Sequence, residues 1–279
     1  MNSNLFERRK KVIFIDWMLF VFRAIFFCKD KNMHPPYLCV TSLIACLNRL
    51  EITPDDLIIL AVDGPNNWRK EIDSNYKSNR KAQRDKTDID WTQQFGDFNA
   101  LLYNLNISTP FHIVKVDKLE ADDIIAYGVR YYKDCDVVII SSDSDYDQLM
   151  SFDNVKIFSP VTKKYKIVKN AYKTLAKKIK IERTDNLISP ILNEADYKKR
   201  EMLVSLLSLP EAIETLAYQA LVKVILKTSN EYNSNNLLFR KLKDRLDSIF
   251  ANDVRKVEVS DSFKKKRSNK KVEQTELSI

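Results

Sequence analysis

The sequence predicts an α/β fold: a mostly parallel central sheet with helices on both faces, followed by a smaller helical C-terminal region. Three observations carry this. Short apolar runs of strand length alternate with segments of helical periodicity, the pattern of parallel sheets built from strand–helix–strand units. The runs at 12–16, 57–63 and 136–141 each finish on, or two residues before, an aspartate, as at the carboxyl edge of such a sheet. From residue 170 onward the pattern is helical alone.

Val12-Ile13-Phe14-Ile15, closing on Asp16, is the first strand. Helices are expected near 18–28 and 39–50, then a strand at 57–63 closing on Asp63. A basic polar segment covers 66–90 and leads to a helix at 92–104 and a strand at 111–116. Leu119-Glu120-Ala121-Asp122-Asp123-Ile124-Ile125 opens an amphipathic helix at 120–132, whose acidic first turn suits the helix dipole. A strand at 136–141 runs into Ser142-Asp143-Ser144-Asp145 and a short helix at 145–150, in which Asp147 reads as a solvated surface residue. Val155-Lys156-Ile157-Phe158 and Tyr165-Lys166-Ile167-Val168 form a strand pair around Ser159-Pro160-Val161-Thr162. Helices follow at 170–179, 196–207, 210–227 and 236–250. The chain so divides into an α/β domain at 1–169, a helical domain at 170–259 and a basic tail at 260–279. The tail carries Lys264-Lys265-Lys266-Arg267 without periodic apolar residues and is expected to be disordered.

The 279 residues carry a net charge of +8 despite the acids at the strand ends, so the basic surface must lie elsewhere. An acidic centre in basic surroundings suits a metal-dependent enzyme acting on a polyanion; a merely solvated basic surface is the bland alternative. No apolar run approaches the ~20 residues that span a membrane. The first ten residues lack a signal-peptide core, so a cytoplasmic setting is expected, in the host cell if the chain is phage-encoded. Cys28, Cys39, Cys46 and Cys135 show no metal or redox spacing and read as reduced thiols. His34 and His112 read as structural. Gly64, Gly96 and Gly128 are the only glycines, too few for a Gly-rich phosphate loop.

Carboxylates gathered at one sheet edge repel one another in a partly dry cleft. Divalent metal is the usual remedy, since Mg²⁺ and Mn²⁺ take oxygen ligands from a few carboxylates, waters and substrate phosphates. Each acid also has a plainer reading, as a helix cap or turn residue. Those readings leave unexplained why several separate strand ends carry acid in a basic protein. Trp68-Arg69-Lys70, Tyr76-Lys77-Ser78-Asn79-Arg80 and Lys81 mix cations with rings, the combination of a single-strand channel. The plain reading there is a solvated basic helix with Trp68 packed into the core.

The order of these motifs resembles the flap endonuclease and 5′-3′ exonuclease superfamily, with its PIN-like domain, and within it the phage ribonuclease H branch. Phe14-Ile15-Asp16, Val62-Asp63-Gly64-Pro65 with Trp68-Arg69, Tyr76 to Arg80, Glu120-Ala121-Asp122-Asp123 and Ile140 to Asp145 with Gln148-Leu149 carry the likeness, over about residues 11–170. The resemblance implies a 5′-3′ exonuclease or flap endonuclease that removes primers in replication, using two Mg²⁺ ions for which Mn²⁺ can substitute. It implies Asp16, Asp63, Glu120, Asp122, Asp123 and Asp143 around the first metal, with Asp145 leaning toward the second. Glu182 and Asp185 match the segment that supplies further second-metal acids. Arg69, Tyr76, Lys77, Arg80 and Lys81 would bind nucleic acid, with Lys77 and Arg80 acting on the reacting phosphate. The helical hairpin expected after Asp185 looks shortened, which leaves the duplex grip open.

DNA and RNA–DNA hybrids with 5′ ends or flaps are the implied substrates. A single-strand-binding protein or a sliding clamp are the implied protein partners, the latter through a loose likeness in Gln274-Thr275-Glu276-Leu277. Two rivals stand beside this reading: a catalytically dead nucleic-acid-binding scaffold and a PIN-type ribonuclease for single-stranded RNA.

Overall fold

The computed structural model describes residues 9–53, 55–180 and 191–226. The helix expected at 236–250, the tail at 260–279 with its clamp-like end, Glu182 and Asp185 all lie outside these residues.

Six strands form one sheet in the order β3-β2-β1-β4-β5-β6, comprising β1 (Lys11–Asp16), β2 (Leu57–Val62), β3 (His112–Lys115), β4 (Asp136–Ile140), β5 (Val155–Ser159) and β6 (Lys164–Tyr165). All neighbours pair in parallel except β5 with β6. Strand side chains alternate between two cores, as the two-residue period requires. Ile13, Ile15, Ile58, Leu60 and Ile140 pack on one face against α1 (Trp17–Cys28), α2 (Pro35–Leu47) and α5 (Trp91–Ser108). Val12, Phe14, Ile59, Ala61 and Ile139 pack on the other against α6 (Ala121–Tyr131) and α9 (Glu211–Leu226). No helix among the described residues is long and apolar enough to cross a membrane.

Gly128 lets α6 lie flat on β1, since a Cβ there would stand 2.2 Å from the ring of Phe14. Short helices α3 (Arg69–Ile72) and α4 (Asn79–Arg84) break the segment expected to be one basic stretch. A 3₁₀ helix at Asp145–Ser151 follows β4, and α7 (Ala171–Lys180) and α8 (Glu194–Val204) precede α9. The α8–α9 connection is fixed to the sheet domain by Gln148. Its amide donates to the Val204 carbonyl at 2.9 Å and accepts from the Leu206 amide at 3.0 Å.

Two expected boundaries are corrected. The second helix starts at Pro35, not near 39, because the Pro35-Pro36 pair occupies the first helical turn, where missing N–H groups cost nothing. The last strand covers only Lys164–Tyr165; Ile167 is 92% exposed.

Candidate active site

The chain order places β1 and β4 side by side after the sheet has grown outward through β2 and β3. This is the topological switch point, where a crevice opens at the carboxyl ends of the strands. Asp16 ends β1, and Ser141 follows β4; the Ser141 hydroxyl donates to Asp16 Oδ2 across the switch at 2.9 Å. Asp16 also caps α1, accepting from the Leu19 amide at 3.4 Å. The cap reading and the cluster reading of this residue are both satisfied.

Asp63 follows β2 and accepts from the Ala121 amide at 2.9 Å, at the first turn of α6. Gly64 permits that approach, because a Cβ would stand 1.6 Å from the Val116 carbonyl oxygen. Glu120 and Asp122 sit on the same helical turn, and Asp143 follows β4 with its amide bonded to Ser141 Oγ at 3.0 Å. Asp16, Asp63, Asp122, Asp143, Lys77 and Arg80 all line one cleft of about 1020 Å³.

Electrostatics split the acids into two groups. Burial, with Asp63 and Asp143 nearby, pushes Asp16 up to about 7. Burial, with Glu120, Asp16 and Asp143 as like charges, pushes Asp122 up to about 8 despite Lys77. Burial raises Asp63 as well. Glu120 goes the other way: burial opposes its charge, but Lys77 and Arg69 hold it below the usual range. It pairs with both cations and accepts from the Tyr76 hydroxyl at 3.1 Å. Tyr146, on the 3₁₀ helix, is fully buried with its hydroxyl turned toward Asp122.

Several expected site residues are placed elsewhere. Asp123 is fully buried and spends both oxygens on protein donors: Arg69 through two N–H groups, the Trp68 indole at 3.1 Å and the Glu120 amide at 2.9 Å. Both oxygens are thus engaged by protein donors in the core, and Asp123 anchors Arg69 rather than facing the cleft. Arg69 is only 2% exposed and Tyr76 only 4%, so neither offers a surface to nucleic acid. Trp68 is buried in the core as well. Lys77, Arg80 and Lys81 remain on the cleft side of the segment or exposed. Asp145 forms an ion pair with Lys178 of α7. Asp147 is paired with Lys166 rather than solvated.

The model of the 5′-3′ exonuclease N-terminal resolvase-like domain matches residues 11–180. The chain belongs to the 5′-3′ exonuclease family. Relatives from this family include the ribonuclease H of Enterobacteria phage T4, 30% identical over 208 residues, covering 70% of this chain and 68% of that one. The 5′-3′ exonuclease of Buchnera aphidicola is 27% identical over 163 residues, 55% of this chain and 53% of its own. Such proteins hydrolyse phosphodiester bonds, and this chain is a nuclease of that kind. Its fold is shared with the phage T5 protein co-crystallised with metal ions, at TM-score 0.58 and 15% identity over 77% of this chain and all of that one. A T5 flap endonuclease complex with DNA and metal ions aligns at TM-score 0.52 and 20% identity, over 85% and 98% of the two chains.

Sequence reasoning missed one wall of this exonuclease-family cleft. Phe22, Arg23, Phe26 and Phe27 of α1 line it. Phe22 and Phe26 meet Trp91 of α5 at 5.9 Å each. Phe22-Phe26 and Trp91-Phe95, both spaced four apart, were the available signal.

Proposed function

We propose that this chain is a Mg²⁺-dependent 5′-3′ exonuclease and flap endonuclease that removes primers during phage replication, cutting DNA and RNA–DNA hybrids at 5′ ends. The carrying observation is the cleft in which Asp16, Asp63, Asp122 and Asp143 lie with Lys77 and Arg80. The donors are all oxygen, which suits Mg²⁺ or Mn²⁺ and not a thiolate-seeking metal. Burial and mutual repulsion leave Asp16 and Asp122 short of positive charge. Among the described residues no three acids, histidines or cysteines close around a single point. Mg²⁺ keeps several waters and shares substrate phosphate oxygens, so it needs only a few of these carboxylates.

When bound, divalent metal supplies Lewis-acid polarisation and charge neutralisation at the scissile phosphate. The residues of the chain do the rest. Asp16, Asp63, Asp122 and Asp143 would hold metal in the cleft, with Asp145, Glu182 and Asp185 as candidates for a second ion. Lys77 is anchored on Glu120, which directs its charge into the cleft with Arg80 to bind phosphate and offset its developing charge. Lys81 extends the cationic path, and the α1 rings offer faces on which bases can stack.

Labelled 5′-flap, nicked, RNA–DNA hybrid and single-stranded RNA substrates, each with Mg²⁺ and with EDTA, test this. Mg²⁺-dependent release from flaps and hybrids is expected. Binding without cleavage would favour a scaffold, and cleavage confined to single-stranded RNA would favour a PIN-type ribonuclease.

A further inference from the structure

The mechanism above leaves a half-buried cation beside the acids unused. Lys178 projects from α7, which packs on the 3₁₀ helix carrying Asp145. Its ammonium pairs with Asp145 while also facing Asp143 and Asp122. Lys178, Asp145 and Asp122 line a small separate cavity of about 70 Å³, walled by Arg69, Tyr76 and Leu203. A water occupies about 30 Å³ of liquid, so this space takes an ion with one or two waters.

The acid-rich loop after β4 is therefore unevenly compensated. Asp147 has Lys166, whose ammonium also donates to the Asp143 carbonyl at 3.1 Å. Asp145 has Lys178. Among the described residues no ion pair is formed by Asp16 at the end of β1 or by Asp122 on α6, and both are raised. A divalent ion entering on the Asp16 side meets uncompensated charge. One entering beside Asp145 meets an ammonium already in place, with which it must compete at close range.

We propose that Lys178 is a displaceable internal counter-ion: it occupies the Asp145 side of the cleft until a second divalent ion drives it out. This rests on the metal-dependent reading given above. It makes occupancy of the two metal positions sequential, and it turns the released Lys178 ammonium toward the cleft, where substrate phosphate can take it.

The full chain, titrated with Mn²⁺ by calorimetry without nucleic acid, tests the idea. Wild type should show one stronger and one weaker class of site. Lys178→Met keeps the stem and removes the charge; it should tighten the weaker class by about tenfold and leave the stronger within about twofold. Lys178→Arg should behave as wild type. Unchanged weak-site affinity in Lys178→Met would overturn the proposal and leave Lys178 as a tie between α7 and the 3₁₀ helix. Wild-type protein gives an independent readout that needs no variant. Acetylation of Lys178 by acetic anhydride, read by mass spectrometry, should be slow without metal and rise severalfold at Mg²⁺ concentrations beyond those that fill the first site. Mg²⁺-independent labelling would also overturn it. If no Mn²⁺ binds at all, the metal-dependent reading itself fails; if two classes bind without regard to Lys178, only this inference does.

Discussion

Arg69 grips Asp123 with a two-point fork, Nη2 at 2.7 Å from Oδ1 and Nη1 at 3.0 Å from Oδ2, and neither side chain has meaningful contact with solvent. The same guanidinium reaches Glu120 at 3.0 Å and donates Nε–H to the Leu203 carbonyl at 2.9 Å. One side chain thus ties the start of α6 to the end of α8. The fork fixes the helical turn from which Asp122 reaches the cleft.

Removing one partner of a buried pair leaves the other uncompensated. Arg69→Met should lower unfolding free energy by about 3–5 kcal/mol, read from urea melts, with Asp123 left charged in the core. Asp123→Asn should cost less, since Glu120 still faces Arg69. A melt for Arg69→Met within about 1 kcal/mol of wild type would show that the fork contributes little beyond packing.

Asp122 gives the opposite sign. Its carboxyl is raised from 3.8 to about 8 by burial and by Glu120, Asp16 and Asp143. Asp16 is raised to about 7. A carboxyl raised on folding binds its proton more tightly in the folded state. Its contribution is fully present below the unfolded value and is lost as pH rises through the folded value. The metal-free protein should therefore lose thermal stability between about pH 4 and pH 8, and Mg²⁺ should flatten that loss. Asp122→Asn removes one of the like charges. It should raise the metal-free melting temperature at pH 8, make the pH slope shallower, and lower cleavage by about 10²-fold or more. A melting temperature for Asp122→Asn below wild type at pH 8 would show that repulsion is not what raises the carboxyl.

Much of this was legible beforehand. The strands at Val12, Leu57 and Val137 could be read because continuous apolar runs leave little ambiguity, and their acidic ends follow directly. Asp123 could not be separated from Asp122 in the sequence. The two are adjacent on a helix, so they point about 100° apart, and only the position of Arg69 decides which one faces the cleft. Arg69 and Tyr76 were misplaced for a related reason. The segment between β2 and α5 has no periodicity, and its turns around Lys77, at φ 56°, direct side chains in ways that spacing does not encode. Lys178 lies far from Asp145 in sequence and carries no motif; the ion pair depends on how α7 packs.

Tyr146 tests the interior of the site. Its hydroxyl is buried facing Asp122 and, among the described residues, makes no well-formed hydrogen bond. An unsatisfied buried hydroxyl gives little stability, and replacing it with an apolar group of the same shape is close to neutral. Tyr146→Phe should leave metal-free stability unchanged or raise it by up to about 1 kcal/mol. A loss of about 1 kcal/mol would indicate a hydrogen bond to Asp122 formed in solution.

Lys77 and Arg80 separate metal binding from substrate handling. Both line the cleft with the acids, but Lys77 is held on Glu120, which is not among the uncompensated acids. Arg69 and Tyr76 keep Glu120 in place when Lys77 is gone. Lys77→Met with Arg80→Ala should lower cleavage of 5′-flap substrates by about 10²-fold, the loss typical when a positioned group that stabilises developing charge is removed. Mn²⁺ affinity should hold or rise slightly, because a cation near Asp122 and Asp63 has been removed. Two fewer phosphate contacts should also make the fall of log affinity with log salt shallower by about 1.4–1.8. Turnover and salt slope both equal to wild type would mean that the two cations only screen the acids and never reach the phosphate.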